Sequence, residues 1–210
     1  VTVAPESATP AQIAALRAAG AIVSLGHSDC TAATALAAGA DCATHLFNAM
    51  SQLGNREPGL VGATLASGLF AGLIADGIHV DPLTLRIALA AKPDRIFLVS
   101  DCMALAGTDL TEMTLGHRHI LRQNGKLTLA DGTLAGADLT LPRALQVLAQ
   151  IGIPPERALA MATTIPALKG RLGNTDFYET TMKVSDLILA VGPTGTSTTT
   201  WVDPAAIFLD

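Results

Sequence analysis

Five short apolar runs alternate with helix-type patterns along the first half of the chain. The runs are nearly continuous rather than alternating apolar and polar, which is typical of strands buried on both faces. Strands separated by helices predict a parallel sheet with crossover helices. The predicted strands lie in the segments VTVAPE, AIVSLGH, DCATHLF, GLIADGIHV and RIFLVSDC.

Capping residues and prolines mark the helices between these strands. A Thr or Asp before the first helical position, with Pro directly after it, is a start signal. The four predicted helices begin after Thr9, after Asp29 or Thr31, near residue 60 and after Asp81.

The pattern changes beyond Cys102. Asn124-Gly125 separates two β-prone runs and predicts a hairpin, which we place as an insertion near 117–130. Helices are expected over 139–150 and 155–163. The closing segment SDLILAVGPTGTSTTTWVD predicts two more strands.

Polar side chains follow the predicted strands at their C-terminal ends. In a (β/α)₈ barrel these ends converge on one face, whereas an open sheet spreads them along a line. We therefore predict an α/β fold, the C-terminal portion of a TIM-like (β/α)₈ barrel. A barrel has eight strands and five are predicted, so we expect the natural polypeptide to extend upstream of Val1. The residues at the strand ends are His27, His45, Asp76, His79 and Asp101.

Composition narrows the function classes. Half of the residues are apolar and 15% are charged, as in a globular protein. The net charge of −5 argues against a nucleic-acid partner, although one arginine and backbone amides suffice to bind a small phosphate. No apolar run reaches the roughly 20 residues of a membrane helix. The three cysteines lack C-x-x-C spacing, which favours a reducing cytoplasm.

Two strand-end histidines, His27 and His45, form a possible metal site. Two imidazoles that converge suit zinc or another divalent transition metal with a position left for water. A single strand-end histidine is more often a hydrogen-bonded structural residue, so the pair carries the hypothesis. A third ligand is required, and Glu6, the nearest carboxylate, is a weak candidate.

Asp101 ends an apolar strand, where a carboxylate beside a metal can move protons to and from water and a leaving group. The alternative is a helix cap, which the weakly helical sequence after it disfavours. Asn48, Ala49 and Arg56 suggest an anion site; alternatively, Arg56 forms a solvated pair with Glu57.

Other polar segments leave their roles open. His79 either contacts a ligand or is a satisfied loop histidine. The GTLAG segment at 132–136 either approaches a ligand through its backbone or is a turn. His117 and His119 are placed on one face of the predicted hairpin and, without a carboxylate partner, are read as surface residues.

Six motifs together resemble the N-acetylglucosamine-6-phosphate deacetylases of the amidohydrolase superfamily. They are GHS, THLFNAM, REPG, ADGIHVDP, FLVSDCM and GTLAG, in this order and spacing, and the resemblance extends to about Gly170. It implies metal-dependent hydrolysis of the acetamide of N-acetylglucosamine 6-phosphate, giving glucosamine 6-phosphate and acetate in amino-sugar catabolism or cell-wall recycling. Zinc is the first expectation for the metal, with iron, cobalt or manganese as alternatives.

The resemblance also implies residue roles and an assembly. It places the third metal ligand, a glutamate, upstream of Val1, and it implies a homodimer in which Arg56 serves the neighbouring subunit. Residues 1–170 would belong to the catalytic barrel and 171–210 to a small β-sandwich domain, although the turn in NTDFYETTMKVSDLIL departs from the family pattern. The implied metal ligands are His27 and His45, the catalytic residue is Asp101, and the substrate-binding positions are Asn48, Ala49, Arg56, His79, Leu134, Ala135 and Gly136.

Two alternatives stay open at this point. One is an amidohydrolase for another N-acyl sugar or a cyclic amide, which loss of the phosphate site would favour. The other is a truncated, non-catalytic protein that binds sugar phosphates, which a missing metal ligand would favour.

Overall fold

A computed structural model describes residues 1–169 of the chain. The predictions made for 171–210, including the small β domain, lie outside these residues. The first half alternates strands and helices in this order: β1 Thr2–Val3, α1 Pro10–Ala18, β2 Ser24–Leu25, α2 Ala32–Ala37, β3 Cys42–Ala43, α3 Gly59–Ala66, β4 Phe70–Leu73, α4 Pro82–Ala91 and β5 Ile96–Leu98. The second half contains β6 Glu112–Leu115, β7 Arg118–Gln123, β8 Lys126–Thr128, β9 Leu134–Ala137, α5 Leu141–Gln150, α6 Pro155–Ala162 and α7 Thr164–Lys169.

The first five strands form one parallel sheet in the order β1-β2-β3-β4-β5. Strands adjacent in sequence are therefore adjacent in space, and the order never reverses. A doubly wound open sheet reverses its strand order at a switch point, so the winding seen here is the one that a barrel uses. The parallel α/β arrangement is confirmed, whereas closure into a barrel stays a prediction.

The helix starts follow from local capping chemistry. Thr9 forms a capping box with Gln12 at the start of α1. Thr31, rather than Asp29, caps α2 by accepting a hydrogen bond from the amide of Thr34. Asp81 accepts from the amide of Leu83, and Pro82 occupies the first turn of α4.

The main core lies between the parallel sheet and its helices. It includes fully buried side chains from the strands, from the residues that follow them and from the helices. Burying each of these side chains contributes roughly 1.5–3 kcal/mol. The core continues into α5 and α6, and α6 and α7 contact β5. Representative members are Leu25, Leu46, Leu73, Leu89, Ile96 and Leu148. No helix within residues 1–169 is long and apolar enough to cross a membrane.

The predicted hairpin insertion is part of a larger antiparallel sheet, ordered β6-β7-β8-β9. Asn124 and Gly125 have φ values of 52° and 72°, as the predicted two-residue turn requires. The expectation of a hairpin over 117–130 was too small, because β6 and β9 add to it on both sides. Arg122, paired with Asp138 at 2.8 Å, ties the sheet to the chain that follows it.

Gly59 is a position where a side chain would not fit. Its φ is +62°, and an added Cβ would lie 2.5 Å from the carbonyl oxygen of Gln52 and 2.7 Å from that of Ser51. We expect Gly59→Ala to lower the free energy of unfolding by about 2 kcal/mol or more, as measured by denaturant titration. Gly68→Ala is the matched control, because nothing lies within 4 Å of its added Cβ; equal effects would contradict the prediction.

Candidate active site

His27 and His45 converge at the C-terminal ends of the adjacent strands β2 and β3. Their Nε2 atoms are 3.0 Å apart, and the rings meet edge to face at a centroid distance of 4.8 Å. His45 is buried, while His27 is exposed. The convergence predicted from the sequence is therefore present, with the same nitrogen of each ring turned toward the other.

This geometry fits two ligands of one metal ion only in part. Two imidazoles on a tetrahedral zinc ion place their nitrogens about 3.3 Å apart, close to the observed separation. Nδ1 of His45 is buried without a hydrogen-bond partner, although metal-binding histidines usually donate from that nitrogen. No group of three His, Cys, Asp or Glu side chains in residues 1–169 is arranged to hold a metal. A metal ion at this pair would therefore need ligands beyond His27 and His45.

Glu6, a weak candidate from the sequence, is not placed as a third ligand, because its carboxylate binds Ser28 and Asp29 instead. Its two carboxylate oxygens accept from the Ser28 hydroxyl at 3.0 and 2.8 Å, and one accepts from the Asp29 amide at 2.7 Å. Burial raises the pKa of Glu6, but hydrogen bonds from its own amide, Ser28 and Asp29 outweigh burial and lower it. Glu6 therefore anchors the loop that carries His27.

The loops at this edge hold several non-glycine residues in the left-handed region. Such residues are uncommon and cost roughly 1–3 kcal/mol each, and they cluster at functional sites. Because surrounding contacts must offset this strain, the cluster makes this edge of the sheet a candidate functional site. The residues are His27 with φ 51°, His45 with 32°, Phe47 with 77°, Ala49 with 46° and Asp101 with 47°.

The segment after His45 forms a tight turn. The backbone amide of Asn48 donates to the carbonyl of His45 at 2.9 Å, and its side-chain amide contacts the carbonyls of His45 and Leu46. The amide of Ala49 forms no hydrogen bond within the described part of the chain. Of the two positions expected to bind phosphate, Ala49 has its amide available, while that of Asn48 already serves the turn.

Arg56 is exposed and forms no ion pair with Glu57. The Glu57 carboxylate instead accepts from the amides of Ala32 at 2.7 Å and Gly59 at 3.0 Å. These hydrogen bonds lower the pKa of Glu57. The alternative in which Arg56 and Glu57 form a solvated pair is therefore wrong, because the Glu57 carboxylate binds backbone amides instead. The guanidinium of Arg56 is left open to solvent.

Asp101 follows β5 at the same edge of the sheet. Its carbonyl accepts from the amide of Ala137 at 2.9 Å, but its carboxylate is exposed and forms no hydrogen bond with residues 1–169. Asp101 is not a helix cap. The 134–136 segment runs beside it, since a Cβ on Gly136 would lie 3.3 Å from the Asp101 carbonyl oxygen. The structure thus brings Asp101 and the GTLAG segment together.

An Asp76–His79 pair stands at the end of β4. Oδ2 of Asp76 lies 2.6 Å from Nδ1 of His79, and both side chains are almost fully buried. Burial raises the pKa of Asp76, but hydrogen bonds from the His79 side chain and from the amides of Ile78 and His79 outweigh burial and lower it. The sequence identified Asp76 only as a polar residue at a strand end and did not predict its close contact with His79. The spacing D-G-I-H after a strand, typical of an Asx turn, was its only signal.

The hairpin histidines differ from expectation in detail. His117 lies in the turn between β6 and β7, so it does not share a strand face with His119. His119 has a carboxylate partner, with Nε2 3.3 Å from Oε2 of Glu112. Both histidines are exposed, and their interpretation as surface residues stands.

Comparisons with known proteins find relatives that are named as deacetylases of N-acetyl sugar phosphates. No protein-family model matches the chain. The chain is 42% identical over 173 residues to the N-acetylgalactosamine-6-phosphate deacetylase of Shewanella sp. (strain ANA-3), covering 80% of this chain and 44% of that protein. It is 37% identical over 169 residues to the N-acetylglucosamine-6-phosphate deacetylase of Haemophilus influenzae, covering 75% and 44% respectively.

A solved structure agrees with these relatives. The crystal structure of N-acetylglucosamine-6-phosphate deacetylase from Pasteurella multocida superposes with a TM-score of 0.77 at 37% identity, covering 80% of this chain and 46% of that one. The described residues form an α/β chain in which two neighbouring parallel strands, β2 and β3, lead into the paired histidines His27 and His45. The chain is homologous to part of the N-acetylglucosamine- and N-acetylgalactosamine-6-phosphate deacetylases. It spans about half the length of the curated relatives it matches.

Proposed function

We propose that the chain carries the metal-binding histidines and the proton-transfer aspartate of an N-acetylhexosamine-6-phosphate deacetylase in a barrel of the (β/α)₈ type. One observation carries the proposal: Nε2 of His27 and Nε2 of His45 lie 3.0 Å apart at neighbouring strand ends. The homology to deacetylases then selects the chemistry. The matching relatives include deacetylases of N-acetylglucosamine 6-phosphate and of N-acetylgalactosamine 6-phosphate. N-acetylgalactosamine 6-phosphate is therefore the second candidate substrate.

The chain's own residues would divide the reaction between them. His27 and His45 would hold a divalent cation, zinc first among the candidates, which supplies Lewis acidity toward water and the acetamide carbonyl. Asp101 would accept a proton from the attacking water and return it to the nitrogen as the carbon–nitrogen bond breaks. The products are acetate and the free amino sugar phosphate.

The phosphate is the proposed handle for orienting the substrate. The free amide of Ala49 and the exposed guanidinium of Arg56 are suited to bind an anion. Arg56 is proposed to serve the neighbouring subunit of a homodimer, while Leu134, Ala135 and Gly136 are proposed to line the substrate beside Asp101. The cytoplasm remains the proposed location.

The experiment is amine release from N-acetylglucosamine 6-phosphate and N-acetylgalactosamine 6-phosphate by the purified chain with added zinc, with unphosphorylated N-acetylglucosamine as the control. Turnover of either phosphate sugar, with little of the control, supports the deacetylase. No turnover by folded protein that still binds the phosphate sugars, measured by calorimetry, would favour a non-catalytic binding protein. Equal turnover of all three sugars would remove the phosphate site from the proposal.

A further inference from the structure

We propose that Gln52 is a positioning residue that holds the turn over residues 47–50 in the shape in which the amide of Ala49 binds an anion. Under the proposed function that anion is the phosphate of the substrate, and the inference rests on that function. The role of Gln52 itself follows from the contacts of its side chain, which the sequence did not indicate.

Gln52 ties the two ends of the turn together. Its side-chain nitrogen Nε2 donates to the carbonyl of Phe47 at 2.8 Å and to that of Met50 at 2.7 Å. A side-chain amide carries two N–H donors, so both are used here. A single nitrogen therefore fixes the distance between the carbonyls that flank Asn48 and Ala49.

The turn has the backbone shape of an anion-binding nest. Phe47 and Ala49 are left-handed, with φ of 77° and 46°, while Asn48 between them is not. Alternating handedness turns successive amides toward one concave side, where they surround an anion. The amide of Ala49 forms no hydrogen bond within residues 1–169, so it is available to such a ligand.

A turn of this shape needs a tie from outside to keep it. Left-handed conformations are unfavourable at residues other than glycine, and both Phe47 and Ala49 carry a Cβ. An untied turn would relax to conformations without this cost and would lose the concave arrangement of its amides. The hydrogen bonds from Gln52 oppose the relaxation, because it would separate the two carbonyls from Nε2.

The backbone at Gln52 is itself held firmly. The hydroxyl of Ser51 donates to the carbonyl of Cys30 at 2.6 Å and accepts from the amide of Leu60 at 2.7 Å. A Cβ on Gly59 would lie 2.5 Å from the carbonyl oxygen of Gln52, so the start of α3 packs closely against it. The side chain of Gln52 therefore acts from a fixed base.

The same turn is bonded to the loop that carries His27. The amide of Ser28 donates to the carbonyl of Ala49 at 3.1 Å, and the amide of Ser51 donates to the carbonyl of Ser28 at 3.0 Å. The anion-binding turn and the histidine pair thus belong to one hydrogen-bonded unit. Because Gln52 is exposed, its replacement changes the turn without opening a cavity in the core.

The test compares Gln52→Met with Gln150→Met. Methionine has the length of glutamine but no N–H donor, so Gln52→Met removes both bonds to the turn. Gln150 is an exposed glutamine at the end of α5, which makes Gln150→Met the matched control. The probe is inorganic phosphate, titrated into the purified chain while the amide of Ala49 is observed by nuclear magnetic resonance.

One labelling scheme isolates that amide. Asn48-Ala49 is the only Asn-Ala pair in the sequence. Asparagine labelled with carbon-13 at its carbonyl, combined with alanine labelled with nitrogen-15, therefore gives a single correlated signal, which belongs to Ala49. The shift of this signal with phosphate concentration gives a dissociation constant that requires no turnover.

We expect phosphate to bind the unaltered chain and Gln150→Met equally, and to bind Gln52→Met about 10-fold more weakly because two hydrogen bonds that hold the turn are lost. Equal dissociation constants in all three would overturn the role of Gln52 and leave the phosphate site standing. No response of Ala49 in the unaltered chain would overturn the phosphate site and this inference with it. Should Gln52→Met fail to fold, Gln52→Asn takes its place, since the shorter amide does not reach both carbonyls.

Activity, where present, gives a reading that a loss of stability does not. Gln52→Met should raise KM for the phosphate sugar about 10-fold with kcat within about threefold, because the phosphate is held equally before and during the reaction. Turnover of the unphosphorylated sugar should stay unchanged. An equal fall in kcat for both sugars would show that Gln52 only stabilises the fold, and would overturn the positioning role.

Discussion

Replacing Asp101 by Asn should reduce deacetylation by about 10²–10⁴-fold, the range for loss of a general acid–base group. The fold should survive, because the carboxylate is exposed and bonds to nothing in residues 1–169. Asn also tolerates the left-handed backbone, with φ of 47°, that this position requires. The measurement is kcat/KM for the phosphate sugar that the chain turns over best, together with the thermal midpoint and the zinc content.

Asp94→Asn is the matched control, because Asp94 is an exposed aspartate that precedes β5, at the opposite end of the strand from Asp101. Asp94→Asn removes the same charge at the other end of the strand, away from the candidate site, and should leave the rate unchanged. If Asp101→Asn kept a third or more of the activity, the proton-transfer role would be wrong. A similar loss in both variants would instead indicate a general effect of charge.

The strands and helices were predictable because their signals are local. Continuous apolar runs require burial on both faces, and Thr9, Thr31 and Asp81 satisfy the first amides of the helices that follow them. Asn124-Gly125 specified its turn because few residues accept two successive positive φ angles. In each case the physical cause lies within a few residues of the element.

The extent of the antiparallel sheet was not predictable in the same way. β9 joins β8, and Ala137 also bridges to Cys102, so the edge of the sheet depends on contacts between distant segments. The sequence near 134–136 showed glycines, which suit a turn as well as a strand. Glycine at 136 suits both its left-handed backbone, with φ of 71°, and the close approach of the Met103 side chain, which an added Cβ would meet at 2.6 Å.

In the candidate site, too, some features could be predicted from the sequence and others depend on contacts between distant segments. The convergence of His27 and His45 could be predicted, because parallel strands in one sheet bring their C-terminal ends to one edge. The partners of Glu6, Glu57 and Asp76 could not, since a carboxylate's hydrogen bonds depend on which amides the fold brings near. The left-handed backbone at both histidines is likewise a product of the loops around them.

Replacing His27 by Asn should reduce zinc affinity more than the about 100-fold typical of losing an orienting partner, because a direct ligand is removed. His27 is exposed while His45 is buried, so His27 is the ligand whose loss should least disturb packing. The measurement is bound zinc at equilibrium over a series of buffered free-zinc concentrations, with circular dichroism to confirm the fold.

His117→Asn provides the control, because His117 is an exposed histidine in the turn between β6 and β7, and its loss should leave zinc binding unchanged. The experiment also separates the two meanings of the 3.0 Å contact between the Nε2 atoms. Two unprotonated nitrogens repel each other at that distance unless a cation lies between them, whereas a neutral pair can share one proton as an ordinary hydrogen bond. If the unaltered chain bound no zinc and His27→Asn lowered only its stability, the hydrogen-bonded structural pair would be correct, and the metal centre would have to be abandoned.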